Sequence, residues 1–82
     1  MRNKKIGKFY VSTELLNSSA PIIEEMLYKM RFTPYRVEHL YHANRFEYIG
    51  TSPLFNELEE GMEAPEYNIK INDVEGITAE LV

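Results

Sequence analysis

The hydrophobic positions of the chain fall into short segments with two different periods. Ile6 to Val11 is a compact apolar and aromatic run, which predicts a strand because β-branched and aromatic residues favour extended backbone. Residues 22 to 30 instead carry apolar side chains at helical spacing, with charged residues between them. This second pattern predicts the main helix.

The main helix is predicted over Ala20 to Arg31, with acidic residues near its start and basic residues near its end, as the helix dipole favours. Pro21 is compatible with the first turn, where its missing N–H has no intrahelical partner. The preceding residues 12 to 19 remain open, because they could begin the helix at Ser12 or form a connection. The apolar stripe that would face the core comprises Ile22, Ile23, Met26, Leu27 and Met30.

A clean alternation of side chains follows Pro34, which ends the helix because the residue before proline is driven to extended backbone. Tyr35 to Tyr41 and Arg45 to Gly50 predict the two strands of a β-hairpin, with its aromatic residues facing one way. The turn is predicted at Ala43 and Asn44, since asparagine tolerates a positive φ.

The C-terminal part of the chain predicts a short helix or loop and at least one further strand. Ser52 to Glu60 has the start and stop signals of a helix, with serine as N-cap, proline at the first position and Gly61 just past the end. Tyr67 to Asn72 alternates apolar and polar residues and predicts a half-buried strand. Residues 73 to 76 predict a turn, and Ile77 to Val82 is either a last strand or a frayed tail.

This order of elements predicts an α+β fold, with a small antiparallel or mixed sheet of four to five strands and one main helix packed on one face. No repeat, low-complexity tract or linker interrupts the chain, so residues 1–82 are expected to form a single domain. One amphipathic helix covers only one face of a sheet. Because apolar residues on the other face would stay partly exposed, we expect the protein to form a homo-oligomer.

Charge is divided unevenly along the chain, whose formal net charge is −4. Residues 1–42 carry seven basic and four acidic residues, whereas residues 43–82 carry two basic and nine acidic residues. The division could reflect pairing between the halves, head-to-tail association, or an acidic face that binds a basic partner. Duplex nucleic acid is not expected as a partner, because phosphate contacts require a dominant basic face.

The chain contains no cysteine, which excludes disulfides, thiolate nucleophiles and thiolate metal sites. No run approaches the roughly 18 apolar residues that a membrane span requires. The basic residues at the N-terminus are not followed by the apolar region of a signal peptide. We therefore expect a cytoplasmic protein that neither binds membranes nor carries a cofactor.

Candidates for catalysis are sparse. His39 and His42 are the two histidines, and their spacing on a strand would place them on opposite faces, where they could not share a metal. The serines lack the Gly-x-Ser-x-Gly pattern of a nucleophile, and no Gly-rich phosphate loop is present. We predict that the protein is not an enzyme and binds no metal. A small enzyme that relies on His39 or His42 is the weakest alternative.

Two groups of residues are candidates for binding. An acidic segment with two apolar anchors could occupy a basic surface of a partner protein. An aromatic and basic group could instead hold a nucleotide or another small anionic ligand, because aromatic faces stack on bases and arginine pairs with phosphate. The partner-binding candidates are Leu54, Phe55, Glu57, Glu59, Glu60, Glu63 and Glu66. The ligand-binding candidates are Tyr35, Arg36, Tyr41 and Arg45.

The stretch from Glu47 to Leu58, continued by Gly61 and Pro65 to Tyr67, resembles short uncharacterised accessory proteins of tailed bacteriophages and prophages. The resemblance carries no catalytic motif. It implies a class of small non-enzymatic proteins that bind a host or defence protein, or that sequester a nucleotide signal. The leading hypothesis is therefore a protein-interaction module that acts through its acidic surface, and the alternative is an oligomeric binder of a small anionic ligand.

Overall fold

The computed structural model describes residues 4–59, 61–72 and 76–82. Within these residues, one helix and five strands form an α+β architecture with two antiparallel sheets. The predicted α+β class is confirmed, but the strands divide into a three-stranded and a two-stranded sheet instead of forming one sheet. In chain order the elements are β1 (Ile6–Ser12), α1 (Thr13–Lys29), β2 (Thr33–Leu40), β3 (Arg45–Thr51), β4 (Tyr67–Asn72) and β5 (Gly76–Leu81).

Helix α1 begins at Thr13 and includes the segment that the sequence left open. Ser12 is its N-cap, since the serine backbone is extended and its side-chain oxygen accepts a hydrogen bond from the Leu15 N–H at 3.0 Å. Ser19 departs from helical geometry, with φ −139° and ψ 37°, two residues before Pro21. Pro21 therefore lies in the first turn after a kink, where its missing N–H is tolerated. The predicted helix start coincides with this kink and not with the beginning of the helix.

The C-terminus of α1 is closed by a left-handed residue. Arg31 has φ 53°, and its N–H donates to the Tyr28 carbonyl at 3.0 Å. The Phe32 N–H donates to the Leu27 carbonyl at 3.1 Å, which completes a Schellman motif. The helix thus ends at Lys29, two residues before the predicted end, and the chain turns directly into β2.

The three-stranded sheet has the strand order β1-β3-β2, and both pairs are antiparallel. Tyr48 at its centre lies opposite Phe9 on one side and Val37 on the other, and this row faces α1. The predicted β2–β3 hairpin is confirmed. Its turn is a 3-10 turn over Tyr41–Ala43, followed by Asn44 at φ 51°, the positive φ that the sequence predicted.

The two-stranded sheet meets the first sheet where β4 begins, close to β1. Lys8 and Glu66 form a parallel bridge, in which the Lys8 N–H donates to the Pro65 carbonyl at 2.9 Å. A second, antiparallel bridge joins Lys4 to Leu58. The connection between β3 and β4 is therefore held near its middle by Lys4, which precedes β1, and at its end by Lys8 of β1.

The last segment of the chain is a strand and not a frayed tail. Strand β5 pairs with β4 over its whole length, from Gly76 to Leu81. The turn predicted before β5 lies, for residues 73–75, outside the described residues.

Of the short helix or loop expected from Ser52 onward, the structure has the loop in the residues that it describes. Turns and an isolated bridge occupy the described residues up to Glu59, and Glu60 lies outside them. Ser52 is 2% exposed, and its hydroxyl donates to the Met30 carbonyl at 2.6 Å while accepting from the Leu54 N–H at 3.2 Å. Ser52 thus joins a tight turn to the end of α1 instead of starting a helix.

The core lies between α1 and the helix-facing side of the larger sheet, and aromatic rings fill much of it. Phe9 stacks on Tyr48 with 5.2 Å between ring centroids, and Phe32 meets Phe9 edge-on at 5.1 Å. The buried hydrophobic residues are Phe9, Val11, Ile23, Met26, Met30, Tyr48, Phe55 and Tyr67.

Candidate functional site

A cleft opens where β1 and β4 separate. Beyond the bridge between Lys8 and Glu66, the two strands continue without pairing to one another in the part of the chain that the structure describes. Helix α1 forms the floor of the cleft, which has a volume of about 580 Å³. A cavity of about 280 Å³ extends it between α1 and the end of the β4–β5 hairpin. The side chains that line both spaces are Ile22, Met26 and Ile71.

Backbone groups of β1 face the cleft. In antiparallel strands, the N–H and C=O groups of successive residues point to alternate edges. The Lys8 N–H points to the β4 side, where it donates to Pro65, so the N–H and C=O of Tyr10 point to the same side. Among the described residues, nothing pairs with the Tyr10 backbone on this edge.

Strand β4 presents a matching edge on the opposite wall. The Glu66 carbonyl accepts a hydrogen bond from the Val82 N–H at 3.0 Å, which places the backbone groups of even-numbered β4 residues on the β5 side. The N–H and C=O groups of Ile69 and Ile71 therefore point into the cleft. Two strand edges thus face each other across the cleft, and such edges pair readily with an added strand.

Several apolar side chains around the cleft are partly exposed. Leu15 is 45% exposed, Ile22 is 53% exposed and Ile71 is 61% exposed. The sequence placed Ile22 in the buried stripe of the helix, but the β4–β5 hairpin leaves it open to the cleft. The polar face of that hairpin lies on the other side, where Lys70 pairs with Glu80 at 2.9 Å. Exposed apolar side chains grouped around a concavity indicate a binding surface.

The two arginines predicted to hold an anionic ligand already have partners within the protein. The Arg36 guanidinium lies 3.6 Å from carboxylate oxygens of both Glu38 and Glu47, on the sheet face turned away from α1. The Arg45 guanidinium carbon lies 3.8 Å from the centre of the Tyr10 ring, a cation–π contact. The two groups belong to different ends of the β2–β3 hairpin.

The two tyrosines of the same predicted set lie at opposite ends of β2. Tyr35 occupies a bulge near the start of the strand, with its hydroxyl oxygen 3.5 Å from the Lys4 Nζ. Tyr41 begins the hairpin turn, and its ring centre lies 4.0 Å from that of His39. The four predicted ligand residues therefore do not line one pocket.

The predicted partner-binding residues divide between the core and the surface. Phe55 is 2% exposed and stacks on Tyr67 at 4.5 Å between ring centres, so it cannot serve as the exposed anchor that the sequence predicted. Leu54 is half-buried against the core. None of the described acidic residues from 57 to 66 forms an ion pair within the described part of the chain. The exposed carboxylates are Glu57, Glu59 and Glu63, while Glu66 is half-buried at the closed end of the cleft.

A series of polar contacts crosses the outer face of the larger sheet. The Tyr10 hydroxyl donates to a Glu47 carboxylate oxygen at 3.0 Å, and the other oxygen of that carboxylate lies near Arg36. Burial, reinforced by the hydrogen bond to Glu47, raises the pKa of the Tyr10 hydroxyl above its ordinary value. These contacts link all three strands of the sheet, and they include Arg36, whose charge the ligand hypothesis assigned to an anion.

The histidines occupy separate environments at the hairpin end of the sheet. The His39 ring stacks on Phe46 with 4.3 Å between ring centres, and its Nε2 lies 3.4 Å from the Thr13 hydroxyl oxygen. His42 lies exposed in the turn. Within residues 4–59, 61–72 and 76–82, no three acidic or histidine side chains come together in a way that could hold a metal ion.

The helix that the structure describes is too short and too polar to cross a membrane.

Comparison with known proteins adds no evidence about function to this geometry. The candidate function therefore follows from the cleft itself. No family model, curated protein or solved structure matches the chain.

Proposed function

We propose that this chain is a small non-enzymatic binding protein that takes up an extended segment of another protein in the cleft between β1 and β4. The observation that carries the proposal is the pair of strand edges that no described residue pairs with, formed by Tyr10 on one wall and by Ile69 and Ile71 on the other. An inserted segment would form hydrogen bonds with both edges and join the two sheets into one. In such strand addition, main-chain bonds give affinity and side-chain pockets give specificity.

The inserted segment carries apolar side chains at alternate positions. Because side chains alternate between the two faces of a strand, every second side chain would point to the floor of the cleft. There it would meet Ile22 and Met26, and the intervening side chains would point to solvent. Strands β1 and β4 run parallel at their bridge, so one segment can be antiparallel to both, which is the more favourable pairing.

The acidic residues beside the cleft favour a partner protein with basic residues next to the inserted segment. The acidic connection from Glu57 to Glu66 ends at the closed end of the cleft, and three carboxylates among its described residues are exposed. Basic residues next to the inserted segment would be attracted to this connection, which favours encounter and correct register. The acidic surface thus keeps its role from the sequence hypothesis, while the apolar contact moves from Phe55 to the cleft. The resemblance to phage accessory proteins points to a host or defence protein as the partner.

A designed peptide tests the proposal. The peptide has valine at alternate positions, serine between them and two lysines at its C-terminal end, which antiparallel insertion brings towards Glu66. Calorimetry and amide chemical shifts should detect binding, with the largest shifts at Tyr10, Ile69 and Ile71. A peptide of the same composition with its valines in one block serves as the control ligand. We expect this control to bind at least about tenfold more weakly, because its side chains cannot alternate between floor and solvent.

Matched variants locate the binding site. Ile22→Lys places a charge in the floor of the cleft and should weaken binding of the alternating peptide by about tenfold or more. Tyr28→Lys makes the same change on the exposed side of the same helix, outside the cleft lining, and should leave binding unchanged. Ile71→Pro removes an N–H that points into the cleft and keeps the pairing with β5, so it should also weaken binding. Equal binding to wild type, Ile22→Lys and Ile71→Pro would refute the cleft as the site.

A further inference from the structure

Strand β2 is a free edge of the larger sheet. It pairs with β3 on one side, and no strand lies beyond it among the described residues. Val37 is 47% exposed although it lies in the row that faces α1. An edge strand offers unpaired N–H and C=O groups, which invite pairing with another strand.

The hydrogen-bond pattern across the sheet identifies the residues that present these groups. Because Lys8 directs its N–H away from β3, its neighbour Phe9 directs its own backbone groups to Tyr48. Glu47, which precedes Tyr48 in β3, therefore directs its backbone groups to β2, where it lies opposite Glu38. Val37, the neighbour of Glu38, therefore points its N–H and C=O outward from the edge.

We propose that two copies of this chain pair in antiparallel fashion through the outer edge of β2, with the two-fold axis at Val37. In this register, Val37 of each copy exchanges both backbone hydrogen bonds with Val37 of the other. Arg36 of each copy then lies opposite Glu38 of the second copy, in the closely spaced type of pair. Opposite charges directly across two strands stabilise their pairing. The two helices lie on the same face of the resulting six-stranded sheet.

Charge favours this register over its neighbours. An axis at Glu38 would place two carboxylates directly opposite each other, and an axis at Arg36 would do the same with two guanidinium groups, which is unfavourable. An axis at His39 would leave Glu38 opposite Leu40 of the second copy, without a charge to pair with. The axis at Val37 alone, among these four, sets opposite charges across the strands.

The start of β2 limits the length of the paired segment. Pro34 has no N–H to donate, and the bulge at Tyr35 interrupts the regular ladder. Pairing is therefore centred on Arg36, Val37 and Glu38. Because this contact is short, we expect a reversible dimer whose population rises with protein concentration.

A charge exchange tests the proposed register. Arg36→Glu alone and Glu38→Arg alone each place like charges opposite one another at both symmetric positions, and each should raise the dimer dissociation constant about tenfold or more. Mixed in equal amounts, the two variants restore opposite charges at both positions. Native mass spectrometry, which separates the two variants by mass, should then show the heterodimer in excess over both homodimers.

A backbone variant avoids altering the charges within each chain, where Arg36 lies 3.6 Å from carboxylate oxygens of Glu38 and Glu47. Val37→Pro removes an N–H that points outward and leaves the pairing of β2 with β3 in place. It should abolish the dimer while the far-ultraviolet circular dichroism spectrum stays that of a folded protein. Val37→Thr is the matched control, because it keeps the N–H and the β-branched shape, and it should remain dimeric.

Three outcomes would overturn the proposal. The first is a wild-type protein that sediments as a monomer at its highest soluble concentration. The second is a mixture of the two charge variants that is no more dimeric than either variant alone. The third is a dimer that survives Val37→Pro but is lost in Ile22→Lys, since that pattern would place the second copy in the cleft and not on β2.

Discussion

The ring of Tyr67 lies against Gly7, where an added Cβ atom would come within 2.7 Å of the ring. The tyrosine also stacks on Phe55, and its hydroxyl accepts a hydrogen bond from the Asn56 N–H at 2.9 Å. The absence of a side chain at Gly7 thus lets β4 cross closely over the start of β1. This contact sits beside the bridge at Lys8 and therefore determines where the cleft closes.

The contact between Gly7 and Tyr67 predicts a specific loss of stability. Gly7→Ala should lower the free energy of unfolding by about 1–3 kcal/mol, because the added methyl group overlaps the ring. Urea unfolding monitored by circular dichroism measures the change. In a Tyr67→Leu background the same substitution should cost less, since residues in contact do not contribute additively. An equal cost in both backgrounds would mean that the ring is not what excludes the methyl group.

Amide exchange distinguishes the unpaired strand edges of the cleft from paired ones. In the protein without peptide, the amide protons of Tyr10 and Ile69 should exchange rapidly, because their N–H groups face the cleft. The amide proton of Phe9, which bonds to β3, should exchange far more slowly. Hydrogen–deuterium exchange followed by NMR makes the comparison within one sample. Protection of Tyr10 equal to that of Phe9 would show that the cleft is closed in solution.

Deprotonation of Tyr10 should contribute to a loss of folding stability at alkaline pH. A tyrosine in the unfolded chain has a pKa of about 10, and burial together with the Glu47 hydrogen bond raises the pKa of Tyr10 in the folded chain. The resulting stabilisation is complete below the unfolded pKa and is lost as the pH rises through the folded pKa. The free energy of unfolding should therefore fall above about pH 10.

Replacement of the hydroxyl tests this assignment. Tyr10→Phe should lose stability less steeply with rising pH than wild type, as measured by urea unfolding across the alkaline range. Part of the loss should persist, because burial also raises the pKa of Tyr48. The same steepness in both proteins would contradict a contribution from Tyr10.

Phe55 should contribute to stability and not to partner binding. Phe55→Ala should lower the free energy of unfolding by about 3–5 kcal/mol, as expected for a large side chain removed from a core. Tyr28→Ala is the control, because this tyrosine is 84% exposed and its loss should change stability by no more than about 0.5 kcal/mol. Thermal unfolding compares the two variants. A Phe55→Ala protein as stable as the control would contradict the burial of Phe55 and support the surface anchor that the sequence suggested.

Local sequence patterns predicted the β2–β3 hairpin correctly but placed the start of α1 too late in the chain. The alternation around the turn and the positive φ of Asn44 depend only on neighbouring residues, so they could be read from the chain. Ser19 and Pro21 are residue types that favour the start of a helix, but in the structure they lie at a kink within α1. The helix nevertheless continues back to its cap at Ser12, where the hydroxyl satisfies the Leu15 N–H.

The candidate site depended on burial that periodicity cannot assign. Ile22 and Met26 lie on one apolar stripe, yet Met26 is 7% exposed and Ile22 is 53% exposed. Phe55 likewise follows Leu54 in a segment that resembles an exposed helix, but a turn closed by Ser52 carries it into the core. In each case a distant element decided which apolar residue was covered.

The α+β class, the main helix, the β2–β3 hairpin and the acidic character of the connection after β3 could be predicted from the chain, because period, turn chemistry and charge are properties of neighbouring residues. Three features depend on the tertiary structure: the division of the described strands into two sheets, the bridge between Lys8 and Glu66, and the lack of pairing between the described residues of β1 and β4 beyond this bridge. Strands are joined by backbone hydrogen bonds, whose donors and acceptors are nearly the same in every residue. The sequence therefore indicates which residues favour a strand. Which strand edges meet depends on the packing of side chains, such as that of Tyr67 on Gly7.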